Sequence, residues 1–235
     1  MDSSKWFYMT KKELFEEKIV LFHGSKAGID GEIKPISRNR CDFGSGFYMG
    51  TDIWQPLTLI YNYESPILYT VEVDLSSLNV LYLEPDLTWA LVVAFNRGKL
   101  EPYQNLPIYH SIKKLISGYD VLIGPIADDR MFVVLDRFFN GDITDQALIH
   151  CLSGLDLGYQ YVAVTDKACK QIRIRNQREL GREEKEELKA LSASNRAAGV
   201  QLVDAVSRQY RRSGRYFDEI AGDWNESEFG SETAL

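Results

Sequence analysis

The sequence predicts an α+β fold, on three observations. Strand-like and helix-like segments alternate irregularly, which argues against a regular doubly wound sheet. Several short runs show the period of two or the unbroken apolar character of strands. After Gly181 the apolar spacing changes to that of a helix. In chain order, "MDSSKWFYMTKKELFEE" reads as an amphipathic, acidic helix rather than a signal sequence. "KIVLFHG" reads as a strand, and "GSGFYMGT" as a glycine-led turn into a second, short one. Asp52 with Gln55 three residues later has the spacing of a capping box, with Pro56 inside the first helical turn, where its missing N–H breaks no bond. "ILYTVEVDL" alternates, with Leu68, Thr70 and Glu72 on one face and Tyr69, Val71 and Val73 on the other. "YDVLIGPIA" reads as a buried strand ending at Gly124-Pro125, and "YQYVAVTDKACKQI" as the strand that closes the domain. From Gly181, Leu188, Leu191, Ala198, Leu202, Val206 and Tyr210 recur at helical spacing, with acids at the start and arginines at the end, as the helix dipole favours. Gly199 costs about 1 kcal/mol relative to alanine within a helix and marks a kink or a break.

With 235 residues the chain can bury a core without staples. Cys41, Cys151 and Cys169 form no Cys-x-x-Cys pair, so neither a disulfide framework nor a structural zinc site is suggested, and a reducing cytoplasm fits. The apolar run Leu87 to Phe95 is too short to cross a bilayer, so no membrane association is expected. The net charge of -7 is unevenly spread. Residues 1–166 carry 14 basic and 22 acidic side chains, residues 167–215 carry 13 and 6, and residues 216–235 carry none and 6. The basic block, with Lys167, Lys170, Arg173, Arg175 and Arg178 and then Arg208, Arg211, Arg212 and Arg215, reads either as a phosphate-attracting surface or as a solvated helix face. Three segments are expected: a domain over 1–180, a helical extension over 181–220, and an acidic, disordered tail over 221–235 that the basic block could hold.

His23-Gly24-Ser25 at the end of a strand sets an imidazole beside a bare backbone, a place where a ligand can be hydrogen-bonded. Gly44 and Gly46 lead into Tyr48, whose ring can lie against a planar ligand. Taken in this order and followed by a capped helix, these motifs resemble the NAD-binding core of the ADP-ribosyltransferases of the diphtheria-toxin and poly(ADP-ribose) polymerase type. With "SRNRCDFGSGFYMGTDIWQ", "GYDVLIGPIADDRMF" and "QYVAVTDKA", the chain looks more closely like a bacterial domain family of unassigned function placed in that superfamily. The resemblance spans roughly residues 18–175 and excludes the last helix.

The resemblance implies a split mixed or antiparallel sheet with flanking helices, and NAD bound as substrate between its halves. His23 would bond the adenosine ribose, the Gly24 backbone would hold the nicotinamide carboxamide with Ser25 beside it, and Tyr48 would stack on the nicotinamide ring. Tyr61 is the nearest candidate for the second aromatic, slightly off the usual spacing. The third motif normally carries a glutamate, and Gln160 stands there, able to make a hydrogen bond but not to supply charge to a developing ribose cation. Asp128, with Asp129, is either a base for the acceptor nucleophile or a cap on the next helix. Arg38 is a pyrophosphate clamp or a surface charge. Asp42 could order the glycine loop.

The expected function is therefore a toxin-like mono-ADP-ribosyltransferase acting on RNA, DNA or protein, in a toxin–antitoxin or phage-defence setting. The alternatives are a non-catalytic NAD sensor and an NAD glycohydrolase. The last helix would either pack on the domain or offer its stripe to an antitoxin or chaperone.

Overall fold

The computed structural model describes residues 16–155 and 158–225. The opening helix expected before Glu16 and the tail beyond Asn225 lie outside the described residues. Seven strands and eight α-helices follow one another as β1 (Lys18–Ser25), β2 (Phe47–Gly50), α1 (Trp54–Ile60), β3 (Ile67–Asp74), β4 (Val80–Tyr82), α2 (Leu87–Asn96), α3 (Pro107–Leu115), β5 (Val121–Pro125), α4 (Asp129–Phe139), α5 (Asp145–Ser153), β6 (Tyr159–Ala163), α6 (Asp166–Cys169), β7 (Ile172–Glu179), α7 (Arg182–Tyr210) and α8 (Phe217–Gly222). This is the expected α+β class. Among the described residues the strands form one mixed sheet in the order β4-β5-β6-β2-β1-β3-β7, in which only the β4/β5 pair is parallel.

The sheet is weakly joined at its centre. β1 pairs with β3 along all eight residues and β2 with β6 along all four, but β1 meets β2 in a single register pair, Phe22 with Gly50. That seam divides the strands into a β4-β5-β6-β2 part and a β1-β3-β7 part.

Strand parity sorts side chains into two cores. On one face Leu122 and Val162 join α2, α4 and α5 in the larger core, with Tyr48 packed against it. On the other face Leu21, Phe47, Met49, Val71, Ile123 and Tyr161 form the second core. β3 alternates as expected, with Val71 and Val73 buried and Thr70 and Glu72 partly exposed. β5 is buried throughout, and α2 is buried from Trp89 to Ala94, an all-round apolar helix that fills the interior.

Three expectations change. α1 begins one residue later than a box on Asp52 requires: the Asp52 carboxylate accepts from the Trp54 N–H, and Ile53 is the N-cap. "YQYVAVTDKACKQI" is not one strand, because Thr165 caps the short α6 and the chain then turns back as β7 along the far edge of β3. Gly199 does not break α7, which runs as one helix of 29 residues. A Cβ at Gly199 would lie 2.7 Å from the Arg130 carbonyl oxygen, so the glycine permits α7 to lie against the start of α4.

The helical extension belongs to the main core. Val203 and Val206 of α7 and Phe217, Ile220 and Ala221 of α8 are buried in the larger cluster. The buried stripe on α7 is Leu188, Ser192, Gly199, Val203 and Val206, while Ala198 is exposed and Leu202 half-buried. The stripe that was expected to face either the domain or a partner thus faces the domain. α7 also divides the basic block. Arg173, Arg175 and Arg178 lie on β7 before it and Arg208 to Arg215 at or beyond its far end, about 43 Å along the axis at the usual rise per residue. The two sets make separate patches, and the first lies on an exposed edge strand rather than a helix face. Among the described residues no helix is long and apolar enough to cross a membrane.

Candidate functional site

His23 stands beside the seam. Its ring stacks on Phe47, with centroids 4.0 Å apart and planes at 23°, and Tyr69 flanks it at 6.1 Å. Where β1 and β2 part, the Tyr48 carbonyl turns toward β1 and lies 2.6 Å from His23 Nδ1. A carbonyl can only accept, so Nδ1 carries the proton. Burial pushes the imidazole pKa below its ordinary value, against an opposing contribution from the Tyr48 carbonyl bond. The ring is therefore neutral at pH 7, and Nε2 is a lone-pair acceptor. It makes no hydrogen bond among the described residues.

A groove of about 510 Å³ opens over this ring. Its floor is His23 and Phe47, and its wall is the 29–36 loop, which contributes Ile29 and Ile33 with the carboxylates of Asp30 and Glu32. The loop is shaped by Gly28 and Gly31, both at positive φ. Ser25 closes the turn into it, its hydroxyl donating to the Gly28 carbonyl at 2.7 Å and accepting the Gly28 N–H at 3.0 Å. The Tyr69 hydroxyl accepts the Ile29 N–H. Ser25 thus shapes the loop that walls the groove.

The remaining residues expected at the site do not converge on the groove. Gly24 lies under α1, where a Cβ would come within 2.9 Å of both Ile60 and the Pro56 carbonyl, so its lack of a side chain serves helix packing on that face. Tyr48 faces away from His23. Phe22 pairs with Gly50, so Tyr48, two residues before Gly50, shares the face of Phe22, while His23 shares that of Phe47. The Tyr48 hydroxyl accepts the Phe43 N–H and donates to the Gly44 carbonyl, both at 2.9 Å, and burial together with nearby Asp42 raises its pKa. A stacked pyridine ring under Tyr48 and a ribose on His23 do not share one face of the sheet. Tyr61 is the C-cap of α1 and packs in a third cluster with Leu57 and Ile60. Arg38 is exposed, two residues beyond the groove's Ile36.

Asp128 is the helix cap. Its Oδ1 accepts the N–H groups of Arg130 and Met131, and its Oδ2 accepts Arg130 Nε at 2.7 Å. Asp129 is held by Ser192 and Arg196 of α7. These bonds hold both carboxylates at the α4 terminus, which is the capping alternative expected for Asp128.

Gln160 is 3% exposed and lies on the Tyr48 face, opposite Gly50 on one neighbour and Gly124 on the other. Its Nε2 donates to the Pro125 carbonyl at 2.9 Å and to Asp42 Oδ2 at 3.2 Å. Asp42 Oδ1 accepts Arg97 Nε at 2.9 Å and a terminal guanidinium nitrogen at 2.6 Å. Sequence reading missed Phe47, Arg97 and this contact. Phe47 could have been found, since the neighbour of a strand tyrosine faces the opposite side. The Asp42–Gln160 contact spans 118 residues and leaves no local trace.

The fold and the groove define an α+β domain with a parted sheet and a neutral, acceptor-bearing histidine at the parting. Residues 19–174 match the family described as a protein of unknown function (DUF3990), and the chain belongs to that family. No curated protein and no solved structure matches it.

Proposed function

We propose that this chain is an NAD-dependent mono-ADP-ribosyltransferase of the toxin-like kind, which moves one ADP-ribose from NAD to a nucleic acid or protein acceptor. One observation carries the reading: His23, whose unprotonated Nε2 is the correct partner for a ribose hydroxyl, lines an open groove beside the seam of the sheet. The order of motifs along the chain supports it, as does a seam between the strands that carry the first two of them. The adenosine ribose bonds His23, and the dinucleotide lies in the groove over that ring. There the nicotinamide–ribose bond breaks with its electron pair leaving on nicotinamide, and the acceptor's nucleophile bonds the same ribose carbon and gives its proton to solvent. With no carboxylate at position 160, charge stabilisation is weaker, and turnover is expected to be slower by a few powers of ten than with an acid there.

A second reading, NAD binding without turnover, is favoured by the burial of Gln160 and the tied hydroxyl of Tyr48. The two separate in one experiment. NAD binding is followed by calorimetry and nicotinamide release by chromatography, with cell extract as acceptor source and nuclease or protease digestion of the labelled product. The transferase reading expects binding, release and label, and a loss of affinity of about tenfold in His23→Ala, the value of one hydrogen bond. Binding without release selects the sensor. NAD affinity unchanged by His23→Ala refutes both.

A further inference from the structure

We infer that Asp42 is a positioning residue that fixes the Gln160 amide with both its hydrogens turned inward, so that Oε1 is presented as the acceptor for a ligand hydroxyl. What is bound there rests on the reading above; the arrangement of the amide does not. Gln160 Nε2 has two partners, the Asp42 carboxylate and the Pro125 carbonyl, and neither can donate. The nitrogen must therefore lie between them, and Oε1 must point the other way. Oε1 takes no hydrogen bond among the described residues, and Gln160 as a whole keeps 3% of its surface exposed.

Asp42 is itself held firmly. Arg97, at the end of α2, bonds its Oδ1 twice, and both side chains are 15% exposed. Asn96 Nδ2 donates to the Asp42 carbonyl at 3.1 Å. The guanidinium rests 4.9 Å from the Phe132 ring centre. A charged acceptor on one amide hydrogen polarises the amide and draws electron density onto Oε1, the atom that points away from both partners. The pocket is thus built for an amide. A carboxylate at position 160 would set oxygen against two acceptors.

That conflict supplies the test, a double-mutant cycle on the full chain with Gln160→Glu, Asp42→Asn and the two combined. Gln160→Glu places a second carboxyl against Asp42, so one of the two keeps its proton to higher pH. A group whose folded pKa is raised costs stability as pH rises, so the deficit is larger at about pH 8 than at about pH 5.5. The other charged or titratable groups facing Asp42 are Arg97 and Tyr48, with Cys41 against Tyr48, and all three are unchanged across the cycle. The expected result is a melting temperature about 5 °C or more below wild type for Gln160→Glu at the higher pH. The double variant, with donor and acceptor exchanged toward residue 42 while the Pro125 carbonyl still opposes an oxygen, regains part of it. NAD affinity follows the same order: Asp42→Asn alone weakens binding about tenfold, and the double variant restores part of it. If Gln160→Glu matches wild type at both pH values and the second change brings no recovery, Asp42 does not fix the amide. If the stability cycle closes as expected while wild type itself binds no NAD, the amide arrangement stands and the NAD reading falls.

Discussion

Replacing Gly199 by alanine sets helix propensity against packing, and the structure says which wins. Propensity alone predicts a gain, because alanine is about 1 kcal/mol better than glycine inside a helix. At this position the new Cβ would lie 2.7 Å from the Arg130 carbonyl oxygen, 2.8 Å from its Cα and 3.2 Å from its carbonyl carbon, against an ordinary contact that begins at 3.4 Å. The methyl meets backbone, so no side chain can swing aside. α7 must retreat from α4 by about 0.7 Å. The retreat is resisted on the same face, where Ser192 Oγ and Arg196 Nε reach Asp129 at 2.6 and 3.0 Å. Asp128 pins the other side of the contact through its two cap bonds. Overpacking of this kind costs about 1–3 kcal/mol, with the propensity gain of about 1 kcal/mol set against it, so the net loss is up to about 2 kcal/mol, centred near 1. For a chain of this size a loss of about 1 kcal/mol is a fall in melting temperature of about 2–4 °C, with a matching shift in the urea midpoint and little change in its slope. A Gly199→Ala protein that melts about 2–4 °C above wild type, the whole propensity gain, would show that α7 does not lie against the start of α4.

Two further outcomes follow from the geometry. His23 is neutral when folded because burial depresses its pKa, whereas the unfolded chain takes up a proton near 6.5. Its contribution to stability is full above about pH 6.5 and is lost as pH falls through the lower, folded value; urea midpoints from about pH 8 to 5 should show a decline that His23→Gln flattens, and parallel profiles would contradict the buried, neutral ring. Asp128→Ala strips two helix N–H groups and Arg130 of their acceptor and should cost about 1–2 kcal/mol of stability. Nicotinamide release per folded molecule should not change, and a selective fall in that rate would return Asp128 to the chemistry.

The readable parts of the fold are those whose partners are solvent and a generic core. β3 announces itself by alternation, β5 by an unbroken apolar run, and α7 by its spacing and charge order, because burial on one face dictates those patterns without reference to any particular neighbour. β7 escaped because only Ile172 of its eight residues is buried. Its isoleucines and arginines do alternate, but an edge strand exposed on both faces carries little apolar signal, and the arginines read as part of a basic block. Gly199 reads in the sequence as a weak point of its helix, since propensity sees a helix alone and the reason for the glycine is the Arg130 backbone 69 positions earlier.

The site divides along the same line. His23, Tyr48 and Gln160 are legible as motifs, and parity within each strand tells which of its own residues share a face. What no single strand can tell is the register between two of them. The pairing of Phe22 with Gly50 puts His23 and Tyr48 on opposite faces; a slip of one residue, His23 against Gly50, would have set both on one face. Register is fixed here by the whole sheet, by the eight pairs of β1 with β3 and the four of β2 with β6, and so by residues far from either motif. The same holds for Gln160, whose meaning depends on a carboxylate 118 positions away. A glutamine at a glutamate's place reads as a loss when the chain is taken alone. Opposite Asp42 and the Pro125 carbonyl, it is the residue whose hydrogen-bonding groups match what surrounds it.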